Sequence, residues 1–239
     1  MNTPLSGKTA LVTGATRGIG QAVAVRLMAD GATVIGTGAS PGGEVSAGIE
    51  YKAVDFSDAR ATEEFAADVL SIAPDILVNN AGINKISPFI EIDIDDFLRI
   101  QQINVVAPFQ LCQAVVPGMA AKNWGRIINI SSIWGKIAKE QRASYATSKF
   151  GLDGLTCALA AEVASKGILA NCVAPGFIDT EMTRTVLGEQ GITTLTSRVP
   201  AGRLGTAQEI AALVAWLAGP ENTYISGQNI AIDGGFTRV

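Results

Sequence analysis

Lys8-Thr-Ala-Leu-Val-Thr13-Gly14-Ala-Thr-Arg-Gly18-Ile-Gly20 is the stretch that decides the fold. A short apolar run closed by glycine has the length and composition of a buried strand, and Gln21 to Asp30 then repeats apolar residues at helical spacing. Strand, glycine turn and helix in direct succession make a phosphate-binding unit. Glycine permits the tight turn and the close approach of a pyrophosphate, and the free NH groups and positive dipole end of the helix attract its charge. The spacing is Gly-x-x-x-Gly-x-Gly rather than the commoner Gly-x-Gly-x-x-Gly. A glycine turn alone also reads as a plain strand-to-helix loop, so the flanking strand and helix carry the assignment.

Working outward, β-branched runs alternate with amphipathic segments, which predicts a single-domain α/β fold. The expectation is a doubly wound Rossmann fold: a seven-stranded parallel sheet with helices on both faces, residues 1–239 forming one dinucleotide-binding and catalytic domain. Strands are expected near 8–13, 32–37, 51–54, 75–79, 126–131, 168–174 and 228–232. The second crossover is the exception, because the glycine-rich segment between Thr37 and Tyr51 is too short for a full helix.

Tyr145 and Lys149 stand at i and i+4 in Ser144-Tyr-Ala-Thr-Ser-Lys149 and share one helix face. An ammonium beside a phenol favours phenolate and brings an ordinary pKa near ~10 towards neutrality. The chain has no histidine, so an imidazole cannot take the acid-base role. Such a pair also occurs as a solvated helix pair, and the glycine turn at the other end of the chain favours the catalytic reading.

These two sites, with Asn79-Asn-Ala-Gly82 after the strand at 75–78, resemble the short-chain dehydrogenase/reductase family along nearly the whole chain. The family marks fall in order at Thr13 to Gly20, Asp55, Asn79 to Gly82, Asn104, Ser132, Tyr145 with Lys149, and Pro175-Gly176 followed by Thr180. Ala174-Pro-Gly-Phe-Ile-Asp-Thr-Glu-Met-Thr183 and Val199-Pro-Ala-Gly-Arg-Leu-Gly205 look most like the 3-oxoacyl-(acyl-carrier-protein) reductases, and many sugar and polyol dehydrogenases share them.

The resemblance implies an NAD(P)(H)-dependent oxidoreductase that interconverts a secondary alcohol and a ketone. By that pattern Tyr145 is the central acid/base, Lys149 lowers its pKa and holds the nicotinamide ribose, and Ser132 hydrogen-bonds the substrate oxygen. Asn104 supports a water linking Lys149 to solvent; read from its apolar neighbourhood alone, it is equally a helix-kink or packing residue. Gly14, Gly18, Ile19 and Gly20 form the phosphate turn. Asp55 and Phe56 flank the adenine, Asn80, Ala81 and Gly82 the ribose and ring floor, and Pro175, Gly176, Ile178 and Thr180 the carboxamide side. A non-catalytic dinucleotide-binding sensor or scaffold is a remote alternative, which the intact acid-base set disfavours.

An acidic residue at the end of the second strand would bind the 2'-hydroxyl of NAD(H), and none is present. Thr37 and Ser40 offer hydroxyls and Arg17 a guanidinium, which favours NADP(H) with NAD(H) possible.

The substrate is expected to be a small molecule or an acyl thioester, with acyl carrier protein a possible partner. A carrier-binding reductase is expected to present arginines beside its entrance. Here Lys122-Asn-Trp-Gly-Arg126 and Ser165-Lys-Gly167 occupy those positions, with Asn123 and Lys166 where the bacterial fatty-acid enzymes carry arginines. Half of that docking charge is missing.

Charged residues are 17% of the chain and hydrophobic ones 48%, more apolar surface than one small domain needs to hide, which predicts a homo-oligomer, a dimer or tetramer. The expected contacts are the helices near 97–119 and 145–165 and the last strand. A net charge of -4 disfavours nucleic-acid and anionic-membrane partners. Cys112, Cys157 and Cys172 read as buried free thiols in a reducing compartment. Met1 to Lys8 lacks a hydrophobic signal core, and a cytoplasmic protein without a membrane span is expected. Glu91, Asp93, Asp95 and Asp96 read as a helix cap rather than a metal site.

Overall fold

Val12 and Leu11 show how the sheet is held. On a strand, successive side chains point to opposite faces, and here both faces are apolar, as a sheet covered on two sides demands. The computed structural model describes the backbone of residues 3–239, without the side chains at 181, 182, 185–188 and 190. The chain runs through β1 (Thr9–Val12), α1 (Gly18–Ala29), β2 (Thr33–Gly38), β3 (Glu50–Ala53), α2 (Ala59–Ile72) and β4 (Ile76–Asn79). It continues through α3 (Ile94–Gln101), a π-helical turn (Gln102–Val106), α4 (Ala107–Ala121), β5 (Gly125–Ile130), α5 (Ala143–Val163) and β6 (Ile168–Pro175). The last elements are α6 (Glu181–Thr196), α7 (Ala207–Ala218) and β7 (Asn229–Ile232).

All seven strands are parallel in the order β3-β2-β1-β4-β5-β6-β7, so the order reverses between β1 and β4. That reversal opens a crevice at the carboxyl ends of the strands, where an open α/β sheet binds its ligand. On one face Val12, Val78, Ile128 and Val173 pack with Val23 and Leu27 of α1 and Ile210 and Val214 of α7. On the other, Leu11, Leu77 and Ile127 pack with Phe65 of α2, with Leu111, Val115 and Met119 of α4, and with Val163 of α5.

The β2–β3 connection contains no helix. Val45 and Ile49 pack against the α1 side of the core instead, within reach of Gly36, and the Tyr51 hydroxyl donates to the Ser40 carbonyl to close the loop. Two apolar side chains do the covering that a crossover helix would otherwise supply.

Inside the sheet, Asn79 and Asn129 are register partners on β4 and β5. Asn79 Nδ2 donates to Asn129 Oδ1 at 2.8 Å, and Asn129 Nδ2 donates to Thr156 Oγ1 of α5 at 2.8 Å. Burial without such partners would cost each amide about 1–3 kcal/mol.

Asp93 caps α3, accepting from Asp95 N at 2.8 Å, and Lys85 pairs with Asp96, so the acidic run stabilises a helix start as its spacing predicts. Cys112 and Cys172 are buried, and burial pushes both thiols up to about 12. Cys157 is exposed on the outer face of α5, contrary to the reading of three buried thiols: apolar neighbours in sequence do not distinguish a core face from an uncovered one. Among the described residues, the helical stretch Ile94–Ala121 is long and apolar enough to cross a membrane. Here its apolar side, with Ile100, Ile103, Leu111 and Met119, lies against the sheet as a core helix.

Candidate active site

Ser132, Tyr145 and Lys149 converge at the carboxyl edge of the sheet because each follows directly from an element that ends or begins there. β5 delivers Ser131 and Ser132, and the first turns of α5 deliver Tyr145 and Lys149. Ser131 Oγ donates to the Lys149 carbonyl at 3.3 Å, which leaves Ser132 as the serine that acts on the Tyr145 hydroxyl. Ser132 Oγ also accepts from Trp134 N at 3.2 Å, which fixes its rotamer.

Lys149 is only 4% exposed, and its Nζ donates to the Ile130 carbonyl at 2.8 Å. Burial lowers its pKa to about 8. Nζ lies 5.5 Å from the Tyr145 ring centroid. Burial raises the Tyr145 pKa, while the Ser132 hydroxyl and the Arg142 guanidinium pull it down in part. Ser132 and Arg142 are thus groups that relieve the phenol, which the Tyr145–Lys149 spacing alone did not point to. A phenol kept protonated in this way is a proton donor.

Asn104 sits in the π-helical turn and is buried. Its Oδ1 accepts from Ile83 N at 2.9 Å, and its Nδ2 donates to the Ile83 carbonyl at 2.9 Å and to Ser148 Oγ at 3.0 Å. A Cβ at Gly82 would lie 3.2 Å from Asn104 Oδ1 and 3.5 Å from Lys149 Nζ, so the three residues meet at one point. A π-turn of this kind recurs at functional sites.

Across the crevice, Gly14 and Gly18 take positive φ of 66° and 57°, which favours glycine at both. A Cβ at Gly20 would lie 2.1 Å from the Gly14 carbonyl oxygen, so the turn closes onto α1 only with glycine there. Arg17 occupies the N-cap of α1 without capping it by its side chain, which leaves the first NH groups of the helix free for an anion. Above Gly18, a Cβ would meet only Thr180 Cγ2, at 3.8 Å. An open cradle of free NH groups opposite a buried lysine fits a dinucleotide.

The family model described as Enoyl-(Acyl carrier protein) reductase matches residues 14–237. The chain is 43% identical to the 3-oxoacyl-[acyl-carrier-protein] reductase FabG of Vibrio harveyi, over 98% of this chain and 99% of that protein. It is 42% identical to FabG of Escherichia coli K12, over 98% of each. A solved gluconate 5-dehydrogenase from Burkholderia cenocepacia J2315, in complex with NADP and tartrate, superposes with a TM-score of 0.90 at 31% identity, covering 100% of this chain and 98% of that one. The chain belongs to the short-chain dehydrogenase/reductase family. It is an NAD(P)-dependent oxidoreductase that interconverts a secondary alcohol and a ketone.

Several residues of this short-chain dehydrogenase/reductase stand elsewhere than the family pattern suggested. Thr37 is fully buried and accepts from Gly14 N at 3.3 Å, so its hydroxyl holds the glycine turn instead of facing a 2'-phosphate. Asn80 Nδ2 donates to the Thr13 and Gly14 carbonyls at 2.9 and 3.0 Å, which makes its side chain a brace for the same turn. The Phe56 ring packs edge-on against Phe65, 6.1 Å between centroids, and offers the adenine only its backbone side. Asp55 is exposed, with its carboxylate bound by Ser57 N and Oγ, whose hydrogen bonds lower its pKa.

Ile19 opens α1 and packs partly against the core, and Ala81 N donates to Thr13 Oγ1 at 2.9 Å. Pro175 ends β6, and at Gly176 a Cβ would lie 2.7 Å from Asp233 Cα. Ile178 is buried and bridges to Gly205. Thr180 caps α6 through Thr183 N at 3.2 Å.

The docking charges are also placed differently. β5 begins beside Arg126 and ends beside Ser132, so Arg126 lies at the opposite edge of the sheet from Tyr145, roughly 20 Å away along the strand. Arg126 is buried and donates to the Gly125, Gly167 and Asn222 carbonyls. Lys122 donates to the Ala73 carbonyl and to Asp75.

Sequence reasoning missed the bracing role of Thr13, and it missed Ser148 and Arg142 altogether. Thr13 and Ser148 act through partners 67 and 44 residues away, a signal no local window contains. Arg142 was visible as a cation three positions before Tyr145. Trp134, Phe177 and Phe236, from the ends of β5, β6 and β7, also form an aromatic cluster, with centroids 4.9 to 6.4 Å apart.

Proposed function

We propose that this enzyme uses NADP(H) on a small, free ketone or secondary alcohol, with Tyr145 exchanging the proton on the substrate oxygen. The observation that carries this reading is the Tyr145 phenol beside the Ser132 hydroxyl, with the Nζ of the buried Lys149 5.5 Å from its ring centroid. Bound NADP(H) supplies or accepts the hydride at the substrate carbon. In reduction Tyr145 gives its phenolic proton to the carbonyl oxygen, and the Ser132 hydroxyl stabilises the negative charge developing there. Lys149 holds the cofactor ribose and the positive field around the phenol, and Asn104 keeps Ile83 and Ser148 in place around it. Gly14, Gly18, Ile19, Gly20, Asp55, Ala81, Gly82, Pro175, Gly176, Ile178 and Thr180 shape the cofactor crevice.

NADP(H) is favoured over NAD(H) because no acid stands at the end of β2. Arg17 in the glycine turn is exposed, with no ion pair among the described residues, and Ser40 just after β2 is exposed as well. The NADP of the Burkholderia structure supports the same choice. Fluorescence titration should show NADPH binding more tightly than NADH, and Arg17→Ala should reduce that preference about 10-fold while NADH affinity holds. Tighter NADH binding in the unmodified protein would overturn the assignment.

A second reading, reduction of a 3-oxoacyl thioester on acyl carrier protein, is supported by the 40–43% identity to reductases of that name. The placement of Lys122 and Arg126 favours a free substrate. Assaying acetoacetyl carrier protein beside small 3-oxo compounds, keto sugars and polyols distinguishes them. Efficient, salt-sensitive turnover of the carrier-bound chain would establish the second reading.

Residues 1–239 act as one cytoplasmic catalytic unit. A homo-oligomer forms through the helices near 97–119 and 145–165, where Val106 of the π-helical turn, Phe109 and Phe150 are exposed, with the last strand contributing. The acidic balance favours neither nucleic acid nor an anionic membrane as partner.

A further inference from the structure

Arg142 contacts no reacting atom in the chemistry above, yet its charge acts on Tyr145, the residue at its centre. It is the N-cap of α5, and the i, i+3 spacing puts it on the same face of the first turn as Tyr145. Its guanidinium is half-buried and makes no hydrogen bond or ion pair with any described residue. The neighbouring cations differ in this respect. Lys136 Nζ donates to the Asn229 carbonyl at 2.7 Å, Lys149 Nζ to the Ile130 carbonyl at 2.8 Å, and Lys139 pairs with Glu140 at 3.8 Å.

Stability does not account for Arg142. A cation at a helix N-terminus opposes the helix dipole, and the first turn of α5 holds no acidic residue to offset it. Burial lowers its pKa, so the folded protein disfavours its charge. A guanidinium held partly out of water, against a dipole and without a counter-ion, is provided for an anion that arrives from outside.

We propose that Arg142 binds a carboxylate of the substrate, so that the enzyme acts on small oxo-acid and hydroxy-acid anions. The inference rests on the reading that Tyr145 protonates the substrate oxygen, since that fixes which molecule lies beside Arg142. The planar fork of arginine receives both carboxylate oxygens and orients the carbonyl on Ser132 and Tyr145. Arg142 is then a specificity-determining residue as well as part of the field that relieves the phenol.

Acetoacetate and ethyl acetoacetate carry the same ketone with and without the negative charge, and the test compares their kcat/KM in the unmodified enzyme, Arg142→Gln and Arg142→Lys. The unmodified enzyme should prefer the anion. Arg142→Gln should lower the anion-to-ester ratio about 30-fold, chiefly through KM for the anion, and Arg142→Lys should restore part of it. Calorimetry of the NADPH-loaded protein with 3-hydroxybutyrate and with neutral 1,3-butanediol, a pairing in which no hydride can move, gives a readout independent of turnover. The acid should bind more tightly, and Arg142→Gln should abolish the difference. Turnover of the ester with a ratio unmoved by Arg142→Gln, or equal binding of acid and diol to the unmodified protein, overturns the carboxylate assignment and leaves the Tyr145 reading intact. Anion binding lost in Arg142→Gln, without reduction of either ketone, sustains the carboxylate site and sinks the proposed reaction.

Discussion

The glycine turn and the tyrosine corner face each other across one crevice and are built on opposite terms. Around the turn the bracing side chains are bonded inward: Thr13 accepts from Asn80 N and Ala81 N, Thr37 from Gly14 N, and Asn80 donates to the Thr13 and Gly14 carbonyls. Around the tyrosine, charged and polar groups are held back from such closure. Lys149 is desolvated, Tyr145 is kept protonated by burial, and Arg142 has no partner among the described residues. A surface that must match a fixed ligand shape is made rigid by satisfied hydrogen bonds, whereas one that must change charge during a reaction keeps its groups perturbed.

Tyr145→Phe gives the sharpest separation of the two. Turnover should fall about 10³-fold, with cofactor affinity within a few-fold of the unmodified protein, because the braced turn is untouched. Steady-state rates and cofactor titration measure both, and near-normal turnover would remove the phenol from the reaction.

Lys149 should show the contrast in a single pH titration. Its pKa of about 8 in the folded protein lies below the ordinary 10.5. Between those values the unfolded chain holds more protons, so this residue's contribution to stability rises with pH. The reductive kcat/KM should fall about 10-fold per pH unit above about 8 as the ammonium is lost. Lys149→Arg should move that alkaline limb upward, since a guanidinium keeps its charge. Activity and stability that climb together above pH 8 would contradict the assignment.

The smallest effects belong to the braces. Asn80→Ala removes both carbonyl bonds and should cost about 2 kcal/mol of stability with a loosened cofactor site. Thr37→Val removes one 3.3 Å bond and should cost about 1 kcal/mol or less. Denaturant melts and cofactor titration check both, and a change in chemical rate at saturating cofactor in either variant would break the division between brace and reaction.

What was legible in the sequence follows the same division. The strands were readable because each is an apolar run closed by glycine or polar residues, and β1, β4 and β6 begin and end within a residue or two of expectation. The helixless β2–β3 connection was readable from its glycines, since such a segment cannot sustain a helix. The convergence of Ser132, Tyr145 and Lys149 followed from the family's ordered motifs. The π-turn at Asn104 was not readable, because the bonds around it reach Ile83 and Ser148, 21 and 44 residues away. Thr37 and Phe56 were misjudged for the same reason, as their partners Gly14 and Phe65 lie on other elements.

The paired amides of Asn79 and Asn129 bear on how the chain assembles. Strands β1, β4, β5 and β6 are built mainly of isoleucine, leucine, valine and alanine, and apolar contacts alone distinguish poorly between one alignment of two such strands and the next. A slip of β5 against β4 by a single residue would send one amide to the opposite face and break the bond between them. The pair therefore acts as a registration mark: it adds little attraction beyond its apolar surroundings, but it makes each misaligned sheet costlier than the correct one, and the correct one is what brings Ser132 level with Tyr145.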